Sequence, residues 1–115
     1  MLAESGIGWL PYVITRMDHE WRQYRGHPAD YELHTAPSEL VRRQVMATFE
    51  EEPLGPTMIP LVGVDNVMWA SDYPHPDSTF PDSLTAIEQS LVGFEDADIR
   101  RIVAGNCAEL YGFGG

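Results

Sequence analysis

The sequence predicts an α/β fold built on a parallel sheet. Three observations carry that expectation. Val67-Met-Trp-Ala-Ser71 is a run of strand-favouring or small residues with no polar alternation, as expected of a strand buried on both faces. Trp9, Val13, Met17 and Trp21 recur every four residues, the period of an amphipathic helix. Strand-like and helix-like segments then alternate along the chain, which implies βαβ units.

The elements follow in order. Met1 to Gly6 reads as the end of a strand and the turn after it; with too few residues for a whole strand, the chain is expected to begin inside an element, as a fragment would. Trp9 to Tyr24 is a helix, with Tyr12, Ile14 and Tyr24 widening its apolar stripe and Asp18, Glu20, Arg22 and Gln23 largely off it. Pro11 is tolerable in its first turn and Gly26 is its stop. Residues 26–36 are polar and aperiodic, a loop. Pro37 to Arg43 forms a short helix starting at Pro37 or Ser38. Gln44 to Phe49 is a strand, and Glu50-Glu-Glu-Pro53 opens the next loop. Thr57 to Val62 forms a turn or two of helix, limited by Pro56 and Pro60. Val64 to Ser71 contains the second clear strand. Helices are expected at 82–91 and 96–104, the second announced by acids that suit a helix N-terminus. Asn106 to Tyr111 is a last short helix stopped by Gly112. The sequence has no repeats and reads as one domain over residues 1–115.

Composition narrows the function. Of 115 residues, 43% are hydrophobic, enough for a core. Eighteen acids against seven bases give a net charge of −11, which disfavours nucleic acid and anionic membranes as partners. No apolar stretch approaches membrane-spanning length, and from the residues given no signal peptide is expected. The single cysteine, Cys107, forbids an intrachain disulfide and fits a reducing, cytoplasmic setting. Cys107 and the tryptophans Trp9, Trp21 and Trp69 are expected in the core.

The chemistry concentrates at Asp72. It follows the Val67–Ser71 strand directly and opens a loop, Tyr73-Pro-His-Pro-Asp-Ser-Thr-Phe-Pro81. Strand ends opening into polar loops are where α/β proteins place their sites. Asp72 is a candidate metal ligand or general base; the alternative is a cap for backbone N–H groups. His75 lies between Pro74 and Pro76, which stiffen the loop and suit the imidazole to orient substrate or carry a proton. Asp77 adds a further donor, and acids with imidazoles favour a divalent cation. Glu4, at the end of the first strand remnant, is placed in parallel with Asp72; its alternative is a solvated acid. His19 is expected at the surface or in packing, and His27 and His34 carry no spacing signal.

Val67-Met-Trp-Ala-Ser-Asp-Tyr-Pro-His75, with Asp77-Ser-Thr-Phe-Pro81 and Gly105-Asn-Cys-Ala-Glu-Leu-Tyr-Gly-Phe113, closely resembles the end of the amidohydrolase-related proteins that include aminocarboxymuconate-semialdehyde decarboxylase. The opening Leu2-Ala-Glu-Ser-Gly-Ile-Gly-Trp-Leu-Pro-Tyr12 looks like that family's sixth barrel strand and the start of its helix. The resemblance implies the C-terminal portion of a (β/α)8 TIM barrel, about strands six to eight with their helices. It implies metal-dependent hydrolysis or decarboxylation of a small carbonyl or carboxylate compound, with zinc as the first expectation for the divalent metal. Asp72 matches the family's strand-eight metal-binding aspartate, and His75 the histidine just after it. Glu4 falls where many members carry a histidine, and is carried over as a second ligand. The family's first-strand His-x-His pair and strand-five histidine have no counterpart here. A rival expectation is therefore a catalytically inert fragment or association module, self-assembling as a homo-oligomer through open sheet edges. A third is one polypeptide of a split enzyme.

Overall fold

The computed structural model describes residues 1–26 and 33–113. His27 and most of the loop expected at 26–36 lie outside the described residues. Helix α1 spans Leu10–Tyr24, α2 Pro37–Gln44, strand β1 Ala47–Phe49, α3 Gly55–Val62 and β2 Val67–Trp69. Helix α4 spans Ser83–Ser90, α5 Asp96–Arg100 and α6 Asn106–Tyr111.

The sheet is parallel, as expected. β1 pairs with β2 in the register Ala47↔Val67, Thr48↔Met68 and Phe49↔Trp69. Leu2 bridges Ala47 on the other side of β1, also in parallel: the Leu2 N–H donates to the Met46 carbonyl at 2.7 Å and the Thr48 N–H to the Leu2 carbonyl at 2.9 Å. β1 thus lies between two parallel neighbours, β2 and the Leu2 bridge.

Both strands are shorter than their sequence signals. Gln44 closes α2, and the Val45 N–H still donates to the Val41 carbonyl at 2.8 Å. Val45 is extended but joins no ladder. Val64–Asn66 forms a single 3-10 turn before β2, and β2 ends at Trp69 rather than Ser71.

Ile7, Leu10, Ile14, Ala47, Phe49, Ile59, Val62, Val67, Leu91 and Ile102 form one buried core. Each such side chain contributes about 1.5–3 kcal/mol on leaving water, less for the smaller ones. α1 docks on this core through Leu10 and Ile14, one turn apart. Its predicted stripe is therefore displaced: Trp9 is 42% exposed and Tyr12 70%. Val13, Met17 and Trp21 instead face Leu40 and Val41 of α2 across an open apolar groove of about 740 Å³. Trp21 and Trp69 are half-buried, as is Cys107; the expectation that Trp9 sits in the core is wrong. His19 is exposed. The Asp18 carboxylate accepts from the Ser38 N–H at 2.9 Å, tying α1 to the start of α2.

The expected break at Gly105 is also absent. Asp96 to Tyr111 is helical throughout, with a wide π turn over Arg101–Gly105. Gly105 keeps helical angles, φ −61° and ψ −47°. Gly26 and Gly112, the predicted stops, both take positive φ.

Two asparagines hold the starts of the strands. Asn66 donates its amide to the carbonyls of Arg42 and Val45, both at 2.8 Å. Asn106, only 1% exposed, donates to those of Val64 at 2.7 Å and Val67 at 2.8 Å. Among the described residues no helix is long and apolar enough to cross a membrane.

Candidate active site

β1 and β2 run in parallel, so their C-terminal ends, with the end of the Leu2 segment, open on the same side. Asp72 stands just beyond β2 with φ +56°. A non-glycine residue in that region is uncommon, and Asp is among the few that tolerate it. The loop behind it is tightly tied. The His75 N–H donates to the Asp72 carbonyl at 2.8 Å, and the Thr79 N–H to the Ser71 carbonyl at 3.1 Å. Ser78 Oγ donates to the same Ser71 carbonyl at 2.8 Å. The Tyr73–Pro74 and Phe80–Pro81 peptides are cis.

These turns bring His75 Nδ1 to 3.4 Å from Asp72 Oδ2, an electrostatic contact longer than an ordinary hydrogen bond. The imidazole is largely exposed, the carboxylate largely covered. Glu4 also has positive φ, +55°, and its N–H donates to Thr48 Oγ1 on β1 at 3.3 Å.

Glu4, Asp72, His75 and Asp77 line one pocket of about 340 Å³. The structure therefore brings together the acids and the imidazole singled out in the sequence. It adds two residues that sequence reasoning passed over as the start of a loop, Glu50 and Glu52. The available signal for Glu50 was its place: an acid at the end of β1, as Asp72 follows β2. Burial pushes the Glu50 carboxyl above its ordinary range; the nearby Asp72 and Asp77 charges push it further, and Glu51 adds to them. His75 pulls the other way. Glu52 is engaged with backbone: its Oε2 accepts from the Ile7 N–H at 2.7 Å and its Oε1 from the Gly8 N–H at 2.9 Å.

The pocket is acidic, with no arginine in its lining. Its character suits a hard or borderline cation. Yet among the described residues no three His, Cys, Asp or Glu side chains are arranged to hold a metal ion. Zinc takes three or four protein ligands, so these donors do not by themselves fit one.

Comparison with known proteins completes the picture. The amidohydrolase family profile matches residues 1–113. Among solved structures, the amidohydrolase map2389c of Mycobacterium avium subsp. paratuberculosis K-10 is similar at TM-score 0.74 and 26% identity, over 93% of this chain and 26% of that one. The 5-carboxyvanillate decarboxylase LigW of Sphingomonas paucimobilis is similar at 0.72 and 24%, over 90% of this chain and 30% of that one. A dihydroxybenzoic acid decarboxylase of Polaromonas sp. JS666 is similar at 0.69 and 19%, over 93% and 32%. No curated protein matches. The chain thus spans about a third or less of the solved proteins it resembles. Its partial α/β arrangement is that of part of these amidohydrolase barrels. With the family profile running from Met1 to Phe113, over the strand ends that carry Glu4 and Asp72, the chain belongs to the amidohydrolase family.

Proposed function

We propose that the chain forms about strands six to eight of an amidohydrolase (β/α)8 barrel and supplies the Asp72–His75 part of its active site. The reaction is metal-dependent hydrolysis or decarboxylation of a small carbonyl or carboxylate compound. The observation that carries this reading is Asp72, held in left-handed backbone at the end of β2, with His75 Nδ1 3.4 Å from its carboxylate and Glu4 on the same pocket. Strand C-terminal ends are where such barrels place their chemistry. Two structural relatives are decarboxylases of aromatic acids, and one was solved with manganese and the inhibitor 2-nitroresorcinol.

On this reading a divalent ion, zinc first, belongs to the complete barrel, where it would supply Lewis acidity. This chain's residues have their own parts. Asp72 would serve as ligand and base. Glu4 is the second ligand. His75, exposed at the mouth, orients the substrate or carries a proton.

Two preparations test this: the chain itself, and a chimera carrying residues 1–113 in place of the matching segment of a full-length amidohydrolase. The chain alone is expected to show neither stoichiometric zinc nor turnover of a carboxylate panel, and the chimera to show both. A monomeric chain with one-to-one zinc and turnover, or a chimera with neither, sinks the reading.

A second reading, an association module, rests on one observation. The groove between α1 and α2 leaves Tyr12, Met17 and Tyr24 exposed. Self-assembly without catalysis would cover it and the free sheet edges.

A further inference from the structure

We infer that Glu52 is the positioning residue of this pocket: its carboxylate fixes the Glu4–Gly8 turn against the end of β1. The geometry stands by itself; its catalytic meaning rests on the function proposed above. Both oxygens of Glu52 are engaged, by two consecutive backbone N–H groups at 2.7 and 2.9 Å, the lengths of charge-assisted bonds. Glycines surround it. A Cβ at Gly6 would lie 2.7 Å from Oε2, one at Gly8 2.9 Å from Oε1, and one at Gly55 would collide with Cγ. Gly6 also takes φ +60°, which a side chain would strain. The cradle is shaped for one carboxylate and admits no side chain in its walls.

The turn is also held by the fully buried Ile7 side chain, by Glu4 N–H to Thr48 Oγ1 at 3.3 Å and by Trp9 Nε1–H to the Ser5 carbonyl at 2.9 Å. Glu4 lies in this turn, and Glu50 lies two residues before Glu52. Together with the Leu2 ladder and the buried Ile7 side chain, the Glu52 carboxylate holds two of the pocket's acids beside each other. With both oxygens committed to backbone, Glu52 is set apart from Asp72, Glu4 and Glu50, whose role is to face a cation or a proton.

The test uses the full chain, isotope-labelled, with Mn²⁺ alone as probe. In wild type the Ile7 and Gly8 amides exchange slowly with solvent, and excess Mn²⁺, held weakly and at partial occupancy by the incomplete ligand set, broadens Glu4, Asp72 and His75 together. In Glu52→Ala both amides exchange about tenfold faster or more, as expected for loss of a hydrogen bond to a charged group. Broadening at Glu4 is then lost while that at Asp72 and His75 remains, a pattern that general destabilisation would not produce. Unchanged amide exchange, or unchanged broadening at Glu4, overturns the inference. If Mn²⁺ broadens none of the three in wild type, the outcome agrees with the incomplete ligand set of the chain alone, and amide exchange decides for or against Glu52; the cation-binding reading is then decided by the chimera. If Glu52→Ala does not fold, Glu52→Gln serves. It keeps one acceptor oxygen and should release one of the two amides; retention of both overturns the inference.

Discussion

Asn106 is the most exposed to test of the residues that hold the sheet. It is 1% exposed, and its amide donates to the Val64 and Val67 carbonyls at 2.7 and 2.8 Å. Truncation to alanine removes both bonds and strands two acceptors, a cost of about 1–3 kcal/mol for each buried group left unpaired. Asn106 Oδ1 has no hydrogen-bond partner among the described residues. Removing it returns part of a desolvation cost already incurred, which places the net loss near the lower end, about 2–4 kcal/mol. The variant should melt earlier than wild type, by about 4 °C per kcal/mol lost. Asn106→Asp should be worse at neutral pH, because it turns a carboxylate towards two carbonyls with no donor, and should recover partly in acid. Urea unfolding of the three proteins, followed by far-UV circular dichroism at pH 7, reads all of this. If Asn106→Ala lies within about 0.5 kcal/mol of wild type, the scale of a neutral surface change, then Asn106 does not hold β2 and the reasoning fails. Because Val67 begins the strand that delivers Asp72, the damage should reach the pocket from its far end.

Three further outcomes are expected. Asp72→Asn in the chimera abolishes turnover while changing metal-free stability by less than about 1 kcal/mol, since Asn also accepts left-handed backbone; retained activity with metal bound refutes the role of Asp72. Glu50→Gln stabilises the chain at pH 7. The Glu50 carboxyl is raised above its ordinary 4.5, so the native state holds its proton more tightly, and its contribution is present below 4.5 and lost as pH rises through the native value. The gain should vanish in acid, and thermal melts with chelator present that show the opposite trend count against the assignment. Finally, sedimentation at tens of micromolar, an order-of-magnitude choice for moderately weak association, should show self-association weakened by Met17→Glu in the α1–α2 groove; a compact monomer argues against the association reading.

Much of the fold could be read from the residues, because two signals were strong. Unbroken apolar Val67-Met-Trp fits a strand with neighbours on both faces, and β2 is one. The acid after it is unmistakable as a strand-end residue. The failures share a cause: tertiary partners, invisible in a local pattern. Val45 and Met46 have strand-like chemistry, but α2 claims the Val45 N–H. The stripe of α1 repeats every four residues, yet the core takes Leu10 and Ile14 and leaves Trp9 outside. A break between the helices is expected at Gly105, but the residue keeps helical angles and the helix runs through it. Glu50 and Glu52 looked like one acidic run. Only the fold separates them: both line the pocket, but Glu52 is bound there by two backbone amides.

Among the described residues, Glu4 and Asp72 are the two non-glycine positions with positive φ, and each follows a strand-end segment beside the same pocket. Backbone strain of this kind costs about 1–3 kcal/mol per residue, and it acts on mutation before any chemistry does. At position 72 the replacements that relieve it are Gly and Asn, and both discard the negative charge. Glu keeps the charge but fits the backbone less well and carries its carboxylate one methylene further out. Position 72 therefore has no conservative neighbour in sequence space. On the proposed role of Asp72, a population of variants there should divide into Asp and everything else, with no graded series between.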